Sequence, residues 1–263
     1  MPRPNDTVHS LERKVEQIKA KAYGAVNDED RKTMDEVFDK FALLTIYKFM
    51  TDGLIDTIDY PISTGKEANV FRVTSPEGKP LVLKIYRTSN LTFKRIARYI
   101  ENDPRFRGIK GSRRKVIFAW ATKEFRNLHR MQEAKIPVPE PIKFSQNMLL
   151  MEYLGTDEQP APMLRNVTLE DPEKVYKTIL KFMKLMYKKA ELVHGDLSEY
   201  NILWHDGGPV IIDVGQAMTL EHPNAPEFLR RDIHNINHYF RSLDVKIKSE
   251  QEAFDLITGV KKK

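Results

Sequence analysis

Two short segments constrain this chain more than anything else in it: Leu192-Val193-His194-Gly195-Asp196-Leu197-Ser198-Glu199-Tyr200-Asn201-Ile202-Leu203 and, close behind, Val210-Ile211-Ile212-Asp213-Val214-Gly215. Apolar runs bracket both, so their polar residues belong on adjoining loops beside a buried core. Asp and Gly are common in turns, and either segment alone would pass as an ordinary one. Paired in this order, they leave that reading little room. Asp213 and the amide oxygen of Asn201 are hard oxygen donors suited to Mg²⁺, with Mn²⁺ as an alternative, while Asp196 remains to orient or deprotonate an acceptor hydroxyl. Transfer of a phosphoryl group needs that combination and little covalent help besides. The segments therefore read as ATP-dependent phosphoryl transfer.

Asp196 and Asn201 have the spacing of the H-R-D-L-x-x-x-N loop of protein kinases, and Asp213 heads a D-x-G after an apolar run, as in D-F-G. An ATP site needs an upstream half. Ser63-Thr64-Gly65-Lys66-Glu67-Ala68-Asn69-Val70 can be laid over the G-x-G-x-x-G-x-V loop, with Gly65 kept and Ser63 and Ala68 as small replacements that let the backbone approach phosphate. Ser63, Gly65, Lys66, Glu67 and Val70 are the candidate nucleotide-binding residues there. A P-loop would need Gly at Tyr60 and Ser or Thr at Glu67, so that reading fails. Leu81-Val82-Leu83-Lys84-Ile85-Tyr86-Arg87 is strand-like, and Lys84 takes the place of the lysine that holds the α- and β-phosphates; in isolation it would read as a snorkelling lysine on a half-buried strand.

From about Lys115 to Ala134 the residues Phe118, Ala121, Phe125, Leu128 and Met131 form the apolar stripe of a helix, with Glu124 at its edge. Glu124 is the expected ion-pair partner of Lys84 and Glu133 is its rival. A solvated glutamate among Lys123, Arg126 and Arg130 is the alternative. Two strands, Pro141 to Phe144 and Met148 to Tyr153, follow around a turn at Ser145-Gln146-Asn147. Met151-Glu152-Tyr153-Leu154-Gly155 then takes the position of a kinase hinge, with Met151 as gatekeeper and the Glu152 carbonyl and Leu154 amide toward adenine. An edge strand entering a loop would have the same residues.

Ile62-Ser63-Thr64-Gly65-Lys66-Glu67-Ala68-Asn69-Val70, Lys84-Ile85-Tyr86, Lys123-Glu124 with Arg126-Asn127-Leu128, His194-Gly195-Asp196-Leu197-Ser198-Glu199-Tyr200-Asn201, and Ile212-Asp213 with Gln216 together resemble the RIO family of atypical serine protein kinases, from about residue 40 to about residue 243. The resemblance is nearer to the first subfamily than to the second, which carries an N-terminal winged-helix domain; the segment before Pro61 is too short for that domain plus the leading strand. It implies an α+β, two-lobed protein-kinase-like fold, with a small antiparallel-sheet N-lobe, an αC-type helix and a reduced, mainly helical C-lobe. The expected organisation is a helical extension over residues 1–50 packing on the N-lobe, an N-lobe over 51–153 with a basic flexible insertion at about 88–114, and a C-lobe over 154–263 that lacks a full activation segment and peptide-binding helices. Gly195 replaces the arginine that binds a phosphorylated activation loop in regulated kinases, so that form of switching is not expected. Ala225-Pro226-Glu227 spells A-P-E too soon after Asp213 for a normal activation segment. It reads as a helix start, with Asn224 as N-cap and Pro226 in the first turn, running through Phe228, Leu229, Ile233, Ile236 and Phe240.

At 263 residues the chain can bury a core for two small lobes. It has no cysteine, which excludes disulfides, thiol chemistry and thiolate metal sites. The polar N-terminus and the lack of any apolar run near ~18 residues support neither secretion nor membrane spanning, so a cytoplasmic protein without a membrane partner is expected. A net charge of +6 points to anionic partners. Between Lys84 and Lys115 a run of basic residues that includes Arg95, Arg98, Arg105 and Lys110 is opposed only by Glu101 and Asp103. This insertion resembles the flexible loop of the RIO family, and reads either as a segment that orders on substrate or nucleic acid or as a solvated basic face. Val8 to Ala20 and about Asp28 to Met50 have helical patterning, the second anchored by Met34, Val37, Phe38, Phe41, Leu44 and Tyr47.

Three functions compete. The first is a serine-directed protein kinase that acts on protein substrates including itself. The second, implied by the resemblance, is an ATPase switch in small-ribosomal-subunit biogenesis, with the pre-ribosomal small subunit or its rRNA as partner and Asp213 itself able to accept phosphate. The third is a small-molecule kinase of the aminoglycoside or choline type, which also uses H-G-D-L with a following Asn. The short chain after Asp213 and the S-T-G-K-E loop count against the third.

Overall fold

Val70-Phe71-Arg72-Val73 and Leu81-Val82-Leu83 place β-branched and apolar residues at strand spacing, and both become neighbouring strands of one sheet. In a computed structural model of the chain the described residues are 38, 40–88, 96, 99, 103–106, 112–157 and 159–260. They divide into two compact units, one within Met1–Arg87 and Ile142–Tyr153, the other within Thr88–Pro141 and Leu154–Lys263. The helix expected over Val8 to Ala20, the first part of that over Asp28 to Met50, and most of the basic insertion lie outside the described residues.

The first unit carries helix α1 (Lys40–Thr51) and strands β1 (Thr57–Thr64), β2 (Ala68–Thr74), β3 (Pro80–Tyr86), β4 (Pro141–Ser145) and β5 (Met148–Glu152). The sheet order is β1-β2-β3-β5-β4, with β1·β2, β2·β3 and β3·β5 antiparallel. Pro61 is tolerated because β1 is an edge strand, and the register shifts beside it at Pro61/Ser63. One face of α1 puts Leu43, Ile46, Phe49 and Met50 into a core with Ile58, Phe71, Leu83, Met148 and Leu150.

The second unit contains α2 (Arg113–Glu133), α3 (Pro172–Leu185), α4 (Ala225–Arg241) and α5 (Glu250–Thr258). Two short antiparallel ladders accompany them, β6 (Leu192–Val193) with β9 (Met218–Thr219) and β7 (Ile202–His205) with β8 (Gly208–Ile211). Asp171 caps α3 by accepting from Lys174 N at 2.9 Å. Tyr176 on α3 donates to Asn237 on α4 at 2.8 Å and accepts from Lys248 N at 3.1 Å, which ties α3, α4 and the approach to α5 together. Helix α4 begins at Ala225 as expected, but Asn224 makes no side-chain cap; its backbone N–H instead donates to His222 Nδ1 at 3.2 Å. Sheet and helices make up the α+β architecture that the sequence implied.

Candidate active site

In the first unit the glycine-rich segment is a tight hairpin, since Ser63 and Thr64 already belong to β1 and Ala68 opens β2. Gly65 N donates to Ala68 O at 2.9 Å, and a Cβ on Gly65 would come within 3.1 Å of that same oxygen. Glycine is kept there by the close approach of the two backbones. Lys66 is exposed, while Glu67 and Val70 are half-buried. Glu67 O accepts from Arg87 N at 2.8 Å. Lys84 sits mid-strand opposite Val70 and Leu149 and is only 8% exposed, so it is not a lysine snorkelling to solvent. Met151 and Glu152 end β5 opposite Val82 and Leu81.

In the second unit, β6 delivers the loop that carries Asp196 and β8 delivers Asp213. His194 joins the two segments, its Nε2 lying 3.1 Å from Ile212 O, and Ile212 N donates to Asn201 O at 3.0 Å. Gly195 has φ +78°, and a Cβ there would meet Met218 Cε at 2.9 Å, so no larger residue replaces it without strain. The flanking amides converge on Asp232 of α4, with Gly195 N donating to Oδ2 at 2.8 Å and Leu197 N to Oδ1 at 2.9 Å. Asp232 is fully buried, and burial pushes its carboxyl up to about 7 against the pull of the two amides and Arg231. Arg231, its neighbour on α4, donates to Gly195 O and lies 3.8 Å from Asp196 Oδ1. Gln216 Nε2 reaches Asp196 Oδ2 at 3.4 Å, and Asn201 Nδ2 donates to Asp196 O at 2.8 Å. Burial raises the pKa of Asp196, with Arg231 and Asn201 opposing and the Asp213 charge adding to the rise.

Asp213 is exposed and has φ +59°, a left-handed conformation that aspartate adopts more readily than most non-glycine residues. The backbone after it is held from α2. Lys123 Nζ donates to Gly215 O at 2.8 Å, and Asn127 Nδ2 donates to Val214 O at 2.8 Å and to Ala217 O at 3.0 Å. Glu124 is 1% exposed and Lys123 is fully buried, which overturns the reading of both as part of a solvated surface. A Cβ on Gly215 would come within 3.0 Å of Glu124 Oε2 and 2.9 Å of Trp120 Nε1. Leu154 is buried, and its carbonyl accepts from Ala161 N at 2.9 Å.

The RIO domain family model matches residues 69–253. The chain belongs to the RIO family. It is 42% identical over 228 residues to the RIO-type serine/threonine-protein kinase Rio1 of Haloferax volcanii, a match covering 87% of this chain and 78% of that one. Over 258 residues it is 40% identical to serine/threonine-protein kinase RIO1 of Homo sapiens, across 97% of this chain but 45% of the human one. The chain thus spans less than half the length of that human relative. Its fold matches the Rio2 kinase-ADP/Mg²⁺-phosphoaspartate complex from Chaetomium thermophilum with a TM-score of 0.64 at 27% identity, over 82% of this chain and 66% of that one.

For a RIO domain the donor set at Asn201 and Asp213 has the right chemistry for Mg²⁺. The Asn201 amide gives its Nδ2 to Asp196 O, which leaves Oδ1 as an oxygen donor on the opposite side. Among the described residues no cluster of three or more His, Cys, Asp and Glu could cage a metal. Two protein oxygens supplemented by phosphate and water suit Mg²⁺, which gives up its water shell reluctantly. Sequence reasoning missed Arg231 and Asp232, and gave Lys123, Asn127 and Gln216 no role. One signal was available: Asp232 stands three residues after Leu229 and four before Ile236, a charged residue on the apolar stripe of α4.

Proposed function

We propose that this chain is an ATP- and Mg²⁺-dependent serine/threonine protein kinase that acts on protein substrates including itself. The observation that carries the reading is the frame around Asp196, whose flanking amides, carbonyl and carboxylate each have a defined hydrogen-bond partner. So held, Asp196 orients an acceptor hydroxyl and takes its proton; the upward shift of its pKa by burial strengthens it as a base. Asn201 and Asp213 would hold the metal, and Mg²⁺ there would supply positive charge to offset the charge that develops on the transferring phosphoryl group. Lys84 holds the α- and β-phosphates. The backbone from Ser63 to Glu67 lies over them and Val70 packs on the base. Met151, the Glu152 carbonyl and the Leu154 amide receive adenine. The serine/threonine-kinase names of the RIO1 relatives support the reading. The test is transfer of ³²P from γ-labelled ATP to protein. Asp196→Asn should lower it at least ~100-fold with nucleotide affinity unchanged, and an undiminished rate would remove Asp196 from its role.

A second reading is favoured by the phosphoaspartate described in the Chaetomium relative. In it a carboxylate oxygen of Asp213 attacks the γ-phosphorus of ATP, the bond to the β,γ-bridging oxygen breaks and leaves ADP, and water later hydrolyses the acyl phosphate. The chain would then be a cytoplasmic ATPase switch in small-ribosomal-subunit assembly, with a precursor particle or its rRNA as partner. A hydroxylamine-sensitive phosphoprotein should accumulate during turnover, and its absence at steady state would exclude the step. Precursor particles should bind the purified protein and change its rate of ATP turnover; particles that do neither remove the assembly role. Among the described residues no helix is long and apolar enough to cross a membrane.

A further inference from the structure

We infer that Lys123 and Asn127 of α2 are positioning residues that clamp the backbone of Val214–Ala217 and thereby hold Asp213 in its metal-binding pose. The inference rests on the proposed role of Asp213 as metal ligand. It starts from an expensive feature. The Lys123 side chain is fully buried, and an ammonium withdrawn from water loses several kcal/mol of hydration that only good partners restore. Burial brings its pKa down to about 7, with the charges of Asp103 and Glu124 opposing that shift. Its partners at short range are the Gly215 carbonyl at 2.8 Å and the face of Trp120, 5.0 Å from the ring centroid. A methionine would fill the same volume without the charge, and buried ionic groups replaced in that way often leave stability unchanged or improved. Packing therefore does not account for the ammonium; its bond to the loop does.

Asn127, one helical turn on, completes the grip. The two spaced i and i+4 share a face of α2. Both hydrogens of Nδ2 go to the loop, one to Val214 O and one to Ala217 O. The amide cannot turn round, because its Oδ1 accepts from Arg105 Nη1 at 2.8 Å, and Arg105 is in turn fixed by Asp103 through bonds of 2.9 and 2.6 Å. Three carbonyls of a four-residue stretch are thus bound from one helix. That stretch follows directly on Asp213, which has φ +59°. The clamp anchors the backbone on the C-terminal side of Asp213 through three hydrogen bonds from side chains of one helix.

The experiment uses the full chain and the binding of Mn²⁺ in the presence of ADP, read by the electron paramagnetic resonance of free Mn²⁺, with thermal unfolding in parallel. Lys123→Met should keep its melting temperature and lose about ten-fold or more in Mn²⁺ affinity, the scale of loss when a residue orienting a metal ligand is removed. Arg105→Ala frees the Asn127 amide without opening the core at Lys123, and should weaken Mn²⁺ several-fold. A folded Lys123→Met protein with Mn²⁺ affinity within twofold of wild type overturns the inference. Should Lys123→Met fail to fold, packing does account for the lysine and that half of the clamp is overturned; unaltered Mn²⁺ affinity in Arg105→Ala then overturns the Asn127 half. Asp213→Asn is the control for the underlying reading: if it binds Mn²⁺ as wild type does, the metal role itself fails, independently of the clamp.

Discussion

Asp232→Asn tests how the catalytic loop is held. In the wild-type structure the two carboxylate oxygens each take one backbone amide, Gly195 N at 2.8 Å and Leu197 N at 2.9 Å, on either side of Asp196. The substituted amide has one oxygen, so it keeps one of these bonds and turns an NH₂ toward the other N–H. Stranding a buried N–H donor costs about 1–3 kcal/mol, or about 2–10 °C in melting temperature for a chain of this size. The loop would shift where proton transfer is sensitive to displacements of an ångström, so kcat should fall ~10- to 100-fold while KM for ATP moves little. The pH dependence has a definite sign. Burial pushes Asp232 up to about 7, so the folded chain binds this proton more tightly than the unfolded one, and wild-type stability falls as pH rises from the ordinary carboxylate range to about 7. The substituted amide does not titrate, so the stability gap between wild type and variant should be widest near pH 5 and narrow toward pH 8. Urea unfolding at the two pH values and single-turnover phosphoryl transfer measure all of this. A variant as stable and as fast as wild type refutes the role of Asp232, and a gap that widens with pH refutes the upward shift of its carboxyl.

Three further substitutions separate strain, site and scaffold. Gly195→Ala forces φ +78° on a residue with a Cβ and presses that atom to 2.9 Å from Met218 Cε, so it should cost about 1–2 kcal/mol, read as a lower midpoint in urea. Gly215→Ala drives a Cβ into Trp120 and the Glu124 carboxylate, and kcat/KM for ATP should drop at least ~10-fold; an unchanged value would mean that the position of Glu124 does not matter. Ser249→Ala removes the capping box that Ser249 forms with Glu252 at the start of α5, at a cost of about 1 kcal/mol, and phosphoryl transfer at temperatures well below unfolding should be unaffected.

What the sequence disclosed and what it hid divide along a physical line. Asp196, Asn201 and Asp213 stood out in the sequence because metal and acceptor chemistry needs particular side chains at short, fixed spacings. The sheet was legible because β2, β3 and β5 carry the residue types of buried strands, whereas β6 and β9, two residues each, are too short to show any period. The supports of the loops were hidden for a different reason. Asp232 lies 37 positions from Gly195 and Lys123 lies 92 from Gly215, and in both pairs the partner is backbone, which has the same groups whatever the residue. No motif can encode such a contact from the side of the loop. It can be read only from the helix. On α2 the residues Val116, Trp120, Lys123, Asn127 and Met131 follow helical spacing, so Lys123 and Asn127 occupy core positions, as Asp232 does on α4. Counting only apolar residues drew the stripe of α2 through Phe118 and Phe125, which are half-buried, and left its polar centre out. A charged or amide side chain on the buried stripe of a helix must find a partner, and beside a loop that has no regular secondary structure the unpaired carbonyls and amides of that loop are the partners it finds.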